Sequence, residues 1–170
     1  MKDITLIAAT PQKLSTPNDL GEKARQAVPA AINPIVADAF ALYVKTKNFH
    51  WHMSGSHYRD YHLLLDEQSD QIFAMIDVLA ERVRKLGGLT IRSIDHIKSL
   101  QRIRDDNDAF VQPKDMLRRL MEDNKSFASS LRAAHKICDD NNDIATASLL
   151  ENYVDETERR IWFLYETLSD

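Results

Sequence analysis

Imidazole and carboxylate side chains repeated along one helix face are the groups that hold a divalent cation, and His62, Asp66, Asp77 and Glu81 form such a row. They lie in NFHWHMSGSHYRDYHLLLDEQSDQIFAMIDVLAERV, residues 48–83, which also carries four of the chain's six histidines among apolar residues at helical spacing. At 100° per residue the four ligand candidates sit at about 0°, 40°, 60° and 100° around the axis, so they share one stripe. His62 and Asp66 are one turn apart and can grip one ion together, and so can Asp77 and Glu81. Asp66 and Asp77, however, are separated by about 16 Å of axial rise, so the two pairs cannot serve one ion within one chain.

A second copy of the helix resolves the conflict. If two such helices cross antiparallel about a two-fold axis near residue 71 or 72, His62 and Asp66 of one chain face Asp77 and Glu81 of the other, giving two equivalent sites. Acids on an otherwise burying face are then interface groups neutralised by the metal. His50 lies six residues before Ser56 and His62 six after, so a hairpin turning there brings both histidines level. The expected ligand set is His50, His62 and Asp66 from one subunit with Asp77 and Glu81 from its mate. Mixed imidazole and carboxylate ligands suit Fe(II), Zn or Mn, and no thiolate is placed to close a zinc site. Carboxylates also favour the harder ferric product, so the set permits iron oxidation. A lone His or Asp on a helix is more often a surface or satisfied core group, but five with this mutual geometry are poorly explained that way. The plainer reading does fit His52, which points away from His50, His57 in the turn, and His96 and His135, which lack an evident partner set. Trp51 reads first as packing, with a redox role open because it adjoins His50.

Helices must position these groups. Gly (4) and Pro (5) are scarce and no stretch alternates strictly, so the chain reads as all-α with long helices. Residues 1–26 read as an N-terminal tail and the start of the first helix, with Asp19 and Glu22 as a capping box near Leu20. Asn33-Pro34 predicts a kink or restart, after which the first long helix runs to about Met53 with Ile35, Val36, Ala39, Phe40, Tyr43 and Val44 inward. The second runs from about Tyr58 to Leu86 and stops at Gly87-Gly88. A third starts near Pro113 or Asp115. Asp139 to Asn142 form the next loop, and a fourth starts near Asp143 with Leu149, Leu150, Tyr153, Val154, Ile161, Trp162 and Tyr165 inward. The two outer links are short and make antiparallel hairpins, while the middle link of about 25 residues, with a small helix around Ser93–Leu100, is long enough to return along the bundle. That is the ferritin-like four-helix arrangement, with one long crossover, over residues 27–170.

Composition sets the outer bounds. The chain's 170 residues suffice for one domain with a core, and 44% hydrophobic with 28% charged residues is the balance of a globular protein. A single cysteine, Cys138, cannot make an internal disulfide, so a reduced, cytoplasmic setting is expected. The net charge of −4 argues against a fold-wide nucleic-acid surface. No signal segment or membrane span is expected.

Three stretches, KTKNFHWHMSG, DYHLLLDEQ and IDVLAERVRKLGG, resemble the Dps family, the DNA-binding proteins from starved cells, or mini-ferritins. The resemblance extends from about residue 27 to the C-terminus, and His50, His62, Asp66, Asp77 and Glu81 match the family's ferroxidase spacing throughout. Ordinary ferritins use Glu-x-x-His, a tetrapeptide this chain lacks. The resemblance implies a homododecameric hollow shell in the bacterial cytoplasm or nucleoid. It implies that Fe(II) is oxidised at the dimer interface, usually by hydrogen peroxide, that Fe(III) mineral is stored inside, and that DNA is thereby protected from oxidative damage. Trp51 then matches the tryptophan beside the site that intercepts stray oxidising equivalents. Asp139, Asp140 and Asp143 are candidates for an acidic three-fold pore, with a solvated loop and helix cap as the equal alternative.

DNA binding is the family's second activity. Residues 1–27 hold Lys2, Lys13, Lys23 and Arg25 against Asp3, Asp19 and Glu22, a balance of only +1, and the chain ends in YETLSD without a basic tail. Phosphate binding is therefore expected to be weak or absent at neutral pH, despite avidity from twelve copies. The competing readings are a nucleoid protein with a secondary or inactive metal site and a plain helical scaffold.

Overall fold

The computed structural model describes residues 10–169. Its helices are α1 (Gly21–Trp51), α2 (Tyr58–Lys85), α3 (Ile94–Leu100), α4 (Pro113–Asp140) and α5 (Ile144–Leu168), preceded by a short 3-10 turn at Gln12–Leu14, with no strand among the described residues. The four long helices form an antiparallel pair α1/α2 and an antiparallel pair α4/α5, joined by the crossover that carries α3. Directions follow from side-chain neighbours. Gly55, in the α1–α2 turn, lies against Pro113 at the start of α4, while Arg82 near the end of α2 bonds Asp143 and Thr146 just after α4 ends. α2 and α4 therefore run parallel, as the crossover requires.

The core is built from one stripe of each helix: Val28, Ile32, Ile35, Leu42 and Phe49 of α1 meet Leu65, Ile72 and Leu79 of α2 and the corresponding leucines of α4 and α5. By length and composition α1 is apolar enough to cross a membrane, but half of its most apolar window is buried within the fold, because it packs on α2, α3 and α4.

Several expectations are corrected. α1 does not restart at Pro34 but stays helical through Pro29 and Pro34. An internal proline costs roughly 3 kcal/mol, and fully buried Val28, Ile32, Ile35 and Val36 around it offset that loss. Asn33 is not a cap; its Nδ2 donates to the Leu89 carbonyl at 2.8 Å and ties α1 to the crossover. The Asp19–Glu22 capping box is absent. Asn18 accepts from Leu20 N through Oδ1 and donates to the Leu86 carbonyl through Nδ2, pinning the start of α1 to the end of α2. There Gly87 (φ +78°) has no room for a Cβ, which would lie 2.8 Å from the Thr16 carbonyl oxygen. Val44, Trp162 and Tyr165, expected inward, are 57%, 59% and 58% exposed, and Thr157, Arg160 and Leu164 occupy the inner face of α5 instead. Arg160 is held by Asn124 Oδ1 and Thr157 Oγ1, which is why a charged residue can replace an aromatic there.

The third loop is tighter than expected. Asp139 and Asp140 belong to the last turn of α4, and the reversal is Asn141–Asn142, with Asn142 at φ 58°. Asp143 caps α5, accepting from Thr146 N at 3.1 Å, and pairs with Arg82 at 2.6 Å. At 1% exposure, with both carboxylate oxygens engaged, Asp143 is a buried cap and not a solvent-facing pore acid of this chain.

Candidate metal centre

The α1–α2 turn reverses the chain at Gly55 (φ +94°), and His50 and His62 come level as their symmetric spacing requires. Their rings stack with centroids 3.7 Å apart and planes at 19°. Each Nδ1 lies against the other residue's carbonyl, at 2.8 Å for His50 and 2.9 Å for His62. A carbonyl only accepts, so both Nδ1 atoms carry a proton, and Nε2 is the nitrogen that offers a lone pair when the ring is neutral. The His50 carbonyl is one of the last four of α1, which lack an intrahelical partner, so the pairing also closes the helix end. This is the outer-sphere arrangement that prepares imidazoles for metal.

Asp66 completes the cluster one turn beyond His62, with Oδ1 3.7 Å from His50 Nε2. The same oxygen accepts from Lys47 Nζ at 2.5 Å. That hydrogen bond, helped by the Lys47 charge and the two imidazoles, holds the Asp66 carboxyl below the usual carboxylate range against the effect of desolvation. The Lys47 ammonium is correspondingly raised, first by its bond to Asp66. Lys47 was not singled out in the sequence. Its position one turn before His50 on the same face of α1 was the available signal.

The ferritin-like domain family matches residues 29–170, most of the chain. Among solved structures, DpsC from Streptomyces coelicolor superposes with a TM-score of 0.88 at 28% identity, covering 91% of each chain. Dps from Thermosynechococcus elongatus gives 0.84 at 27%, covering 86% of this chain and 93% of that one. A DNA protection during starvation protein of Halobacterium salinarum is 33% identical over 90 residues, 52% of this chain and 49% of its own length. This chain belongs to the ferritin-like family as a Dps-type mini-ferritin. It spans about half the length of the curated relatives it matches.

In this mini-ferritin Asp77 and Glu81 are exposed on α2 and stand apart from the histidines. Glu81 is 3.8 Å from Lys85 Nζ, an exposed pair one turn along the same helix. Among the described residues no single-chain group of three or more His, Cys, Asp or Glu is close enough to hold a metal ion. Between the two halves of the expected set, the outer face of α2 carries Phe73, 55% exposed. Phe73 leans on Tyr43 of α1 at 5.0 Å. Trp51, next to His50 in sequence, is 65% exposed and lines an open groove of about 850 Å³ with Phe40, Val44 and Ile94. His52 and His57 are exposed as expected. His135, expected to lack a partner, meets Glu151 at 3.0 Å across the α4–α5 hairpin. Tyr58 also went unremarked in the sequence, and its ring stacks on His62 at 5.0 Å.

Proposed function

We propose that the protein oxidises Fe(II) at sites completed between two copies of the chain and stores the ferric product in a dodecameric shell, with hydrogen peroxide as oxidant. The observation that carries the reading is the reciprocal His50–His62 pairing, which puts a proton on each Nδ1 and leaves Nε2 as the ligating position of each ring, with Asp66 Oδ1 3.7 Å from His50 Nε2. The pairing closes the end of α1, and it also fixes the tautomer that a cation binder requires. Iron here is substrate. Fe(II) entering the cluster displaces the Lys47 ammonium from Asp66, and the two Nε2 atoms and the freed carboxylate take it. Antiparallel apposition of two α2 helices supplies Asp77 and Glu81 of the mate, whose exposure and freedom from tight ion pairs suit them to the task. Apolar Phe73 near the middle of that face suits a self-complementary contact.

Two Fe(II), one peroxide and two protons then give two Fe(III) and two waters, so that both electrons arrive together and hydroxyl radical is not released. Zn and Mn fit the same ligand types and compete for the site. Protection of DNA follows from removal of iron and peroxide, and direct duplex binding is expected to be weak because the charge balance of the first 27 residues is only +1.

The test is anaerobic Fe(II) titration followed by peroxide, with particle mass from light scattering. Changing Asp77 and Glu81 together to Ala should abolish Fe(II) oxidation and preserve the shell. Unaltered oxidation in that variant would refute the ligand roles, and tight, salt-sensitive retention of duplex by the native shell would refute the expectation for DNA.

A further inference from the structure

Tyr58 opens α2 four residues before His62, one turn earlier on the same face. The two rings stack with centroids 5.0 Å apart and planes at 25°, and His62 stacks in turn on His50. Three π systems therefore make one column. Its inner two members are the proposed iron ligands, and its outer member is 45% exposed to solvent. Phenylalanine would stack equally well, so the phenol hydroxyl is not explained by packing. That hydroxyl has no hydrogen-bond partner among the described residues. Trp51, another oxidisable side chain of this region, makes no ring contact with either imidazole.

We propose that Tyr58 donates one electron to the site through the His62–His50 stack when only a single Fe(II) is bound. The proposal rests on the ferroxidase reading and extends it to the half-loaded state. Reducing peroxide to water takes two electrons. Paired Fe(II) supplies both, but a lone Fe(II) supplies one, and one-electron cleavage of the O–O bond sets hydroxyl radical free. With Tyr58 as second donor the step balances: Fe(II), hydrogen peroxide, the phenol and one proton give Fe(III), a tyrosyl radical and two waters. The O–O and phenol O–H bonds break. The electron passes inward through the stacked rings, and the phenol proton leaves to the water that reaches the exposed ring.

The experiment uses the assembled protein, loaded anaerobically with one Fe(II) per ligand set and mixed with one equivalent of peroxide. Freeze-quench electron paramagnetic resonance reads the protein radical, ring-deuterated tyrosine identifies it, and a spin trap reports hydroxyl radical. The native protein should give a tyrosyl signal that falls to background in Tyr58→Phe, while trapped hydroxyl radical rises several-fold. The visible spectrum of bound Co(II) reports whether the ligands remain in place in the variant. A tyrosyl signal undiminished in Tyr58→Phe overturns the proposal and leaves the ferroxidase reading standing, as does a native protein that yields only a tryptophanyl radical or only trapped hydroxyl radical. A native protein that neither binds Co(II) nor oxidises Fe(II) with peroxide overturns both.

Discussion

Lys47 and Asp66 make the contact that an incoming cation must break. The pair is uneven: Lys47 is 15% exposed and Asp66 is 45% exposed, so water and salt screen much of its strength. Its worth is then on the scale of a partly exposed ion pair, up to about 1 kcal/mol, or roughly fivefold in a binding constant. Lys47→Gln removes the competing charge and keeps a side chain of similar reach. We expect Co(II) or Zn(II) to bind that variant up to about fivefold more tightly in a calorimetric titration, and unchanged affinity would mean that Lys47 does not oppose loading. On the histidines, the bonds to the carbonyls fix a proton on each Nδ1 and so assign Nε2 to the cation. His50 and His62 were legible from spacing alone, because a tight hairpin maps sequence distance from the turn directly onto height. Lys47 was not, because lysine at a helix surface is ordinarily solvated and only the approach of α2 gives it a carboxylate partner.

At the scale of elements, one buried group anchors the stretch of the crossover just after α3. Asp38, in the middle of α1 and 1% exposed, accepts from Arg102 N at 2.5 Å, Arg102 Nε at 2.8 Å and Ile103 N at 3.2 Å. Two of these donors are backbone N–H groups that have no helix to satisfy them, so the carboxylate substitutes for missing secondary structure just after α3. Asp38→Ala leaves them unpaired and should cost about 2–4 kcal/mol. Denaturant unfolding measures that loss, and hydrogen exchange should rise first at residues 101–106. Uniform exchange across the bundle would show that Asp38 supports the core in general and not the crossover. The need for a long crossover with a short helix was readable from linker length and from Ser93, whose side chain does accept from His96 N. Its anchor was not readable, because nothing local marks Asp38 as different from any other acid in a helix.

For the whole molecule, the decisive surface is the outer face of α2. Phe73 sits close to residues 71 and 72, about which two helices would cross, and more than half of its surface is open in the single chain. Phe73→Glu adds a carboxylate between Asp70 and Asp77 on a face that would meet its own copy, so like charges are brought together where apolar contact is needed. Light scattering should show species smaller than the native assembly, and Fe(II) oxidation should fall with the mass because no complete ligand set can form. A native-mass shell with full activity would place the two-fold contact elsewhere.

The sequence by itself determined the parts that depend on periodicity and chain length: helical class, the two hairpins, the returning crossover, the level pairing of His50 with His62, and the shared stripe with Asp66, Asp77 and Glu81. Only the tertiary structure decided that α1 stays helical through Pro34, that Asp143 is a buried cap paired with Arg82, that Trp162 and Tyr165 face outward while Arg160 faces inward, and that Lys47 and Tyr58 adjoin the histidines. The physical reason is common to all of these. Helical period fixes which residues share a face, but whether that face holds a proline, an arginine or an ion pair depends on burial and hydrogen-bond partners supplied by helices distant in sequence.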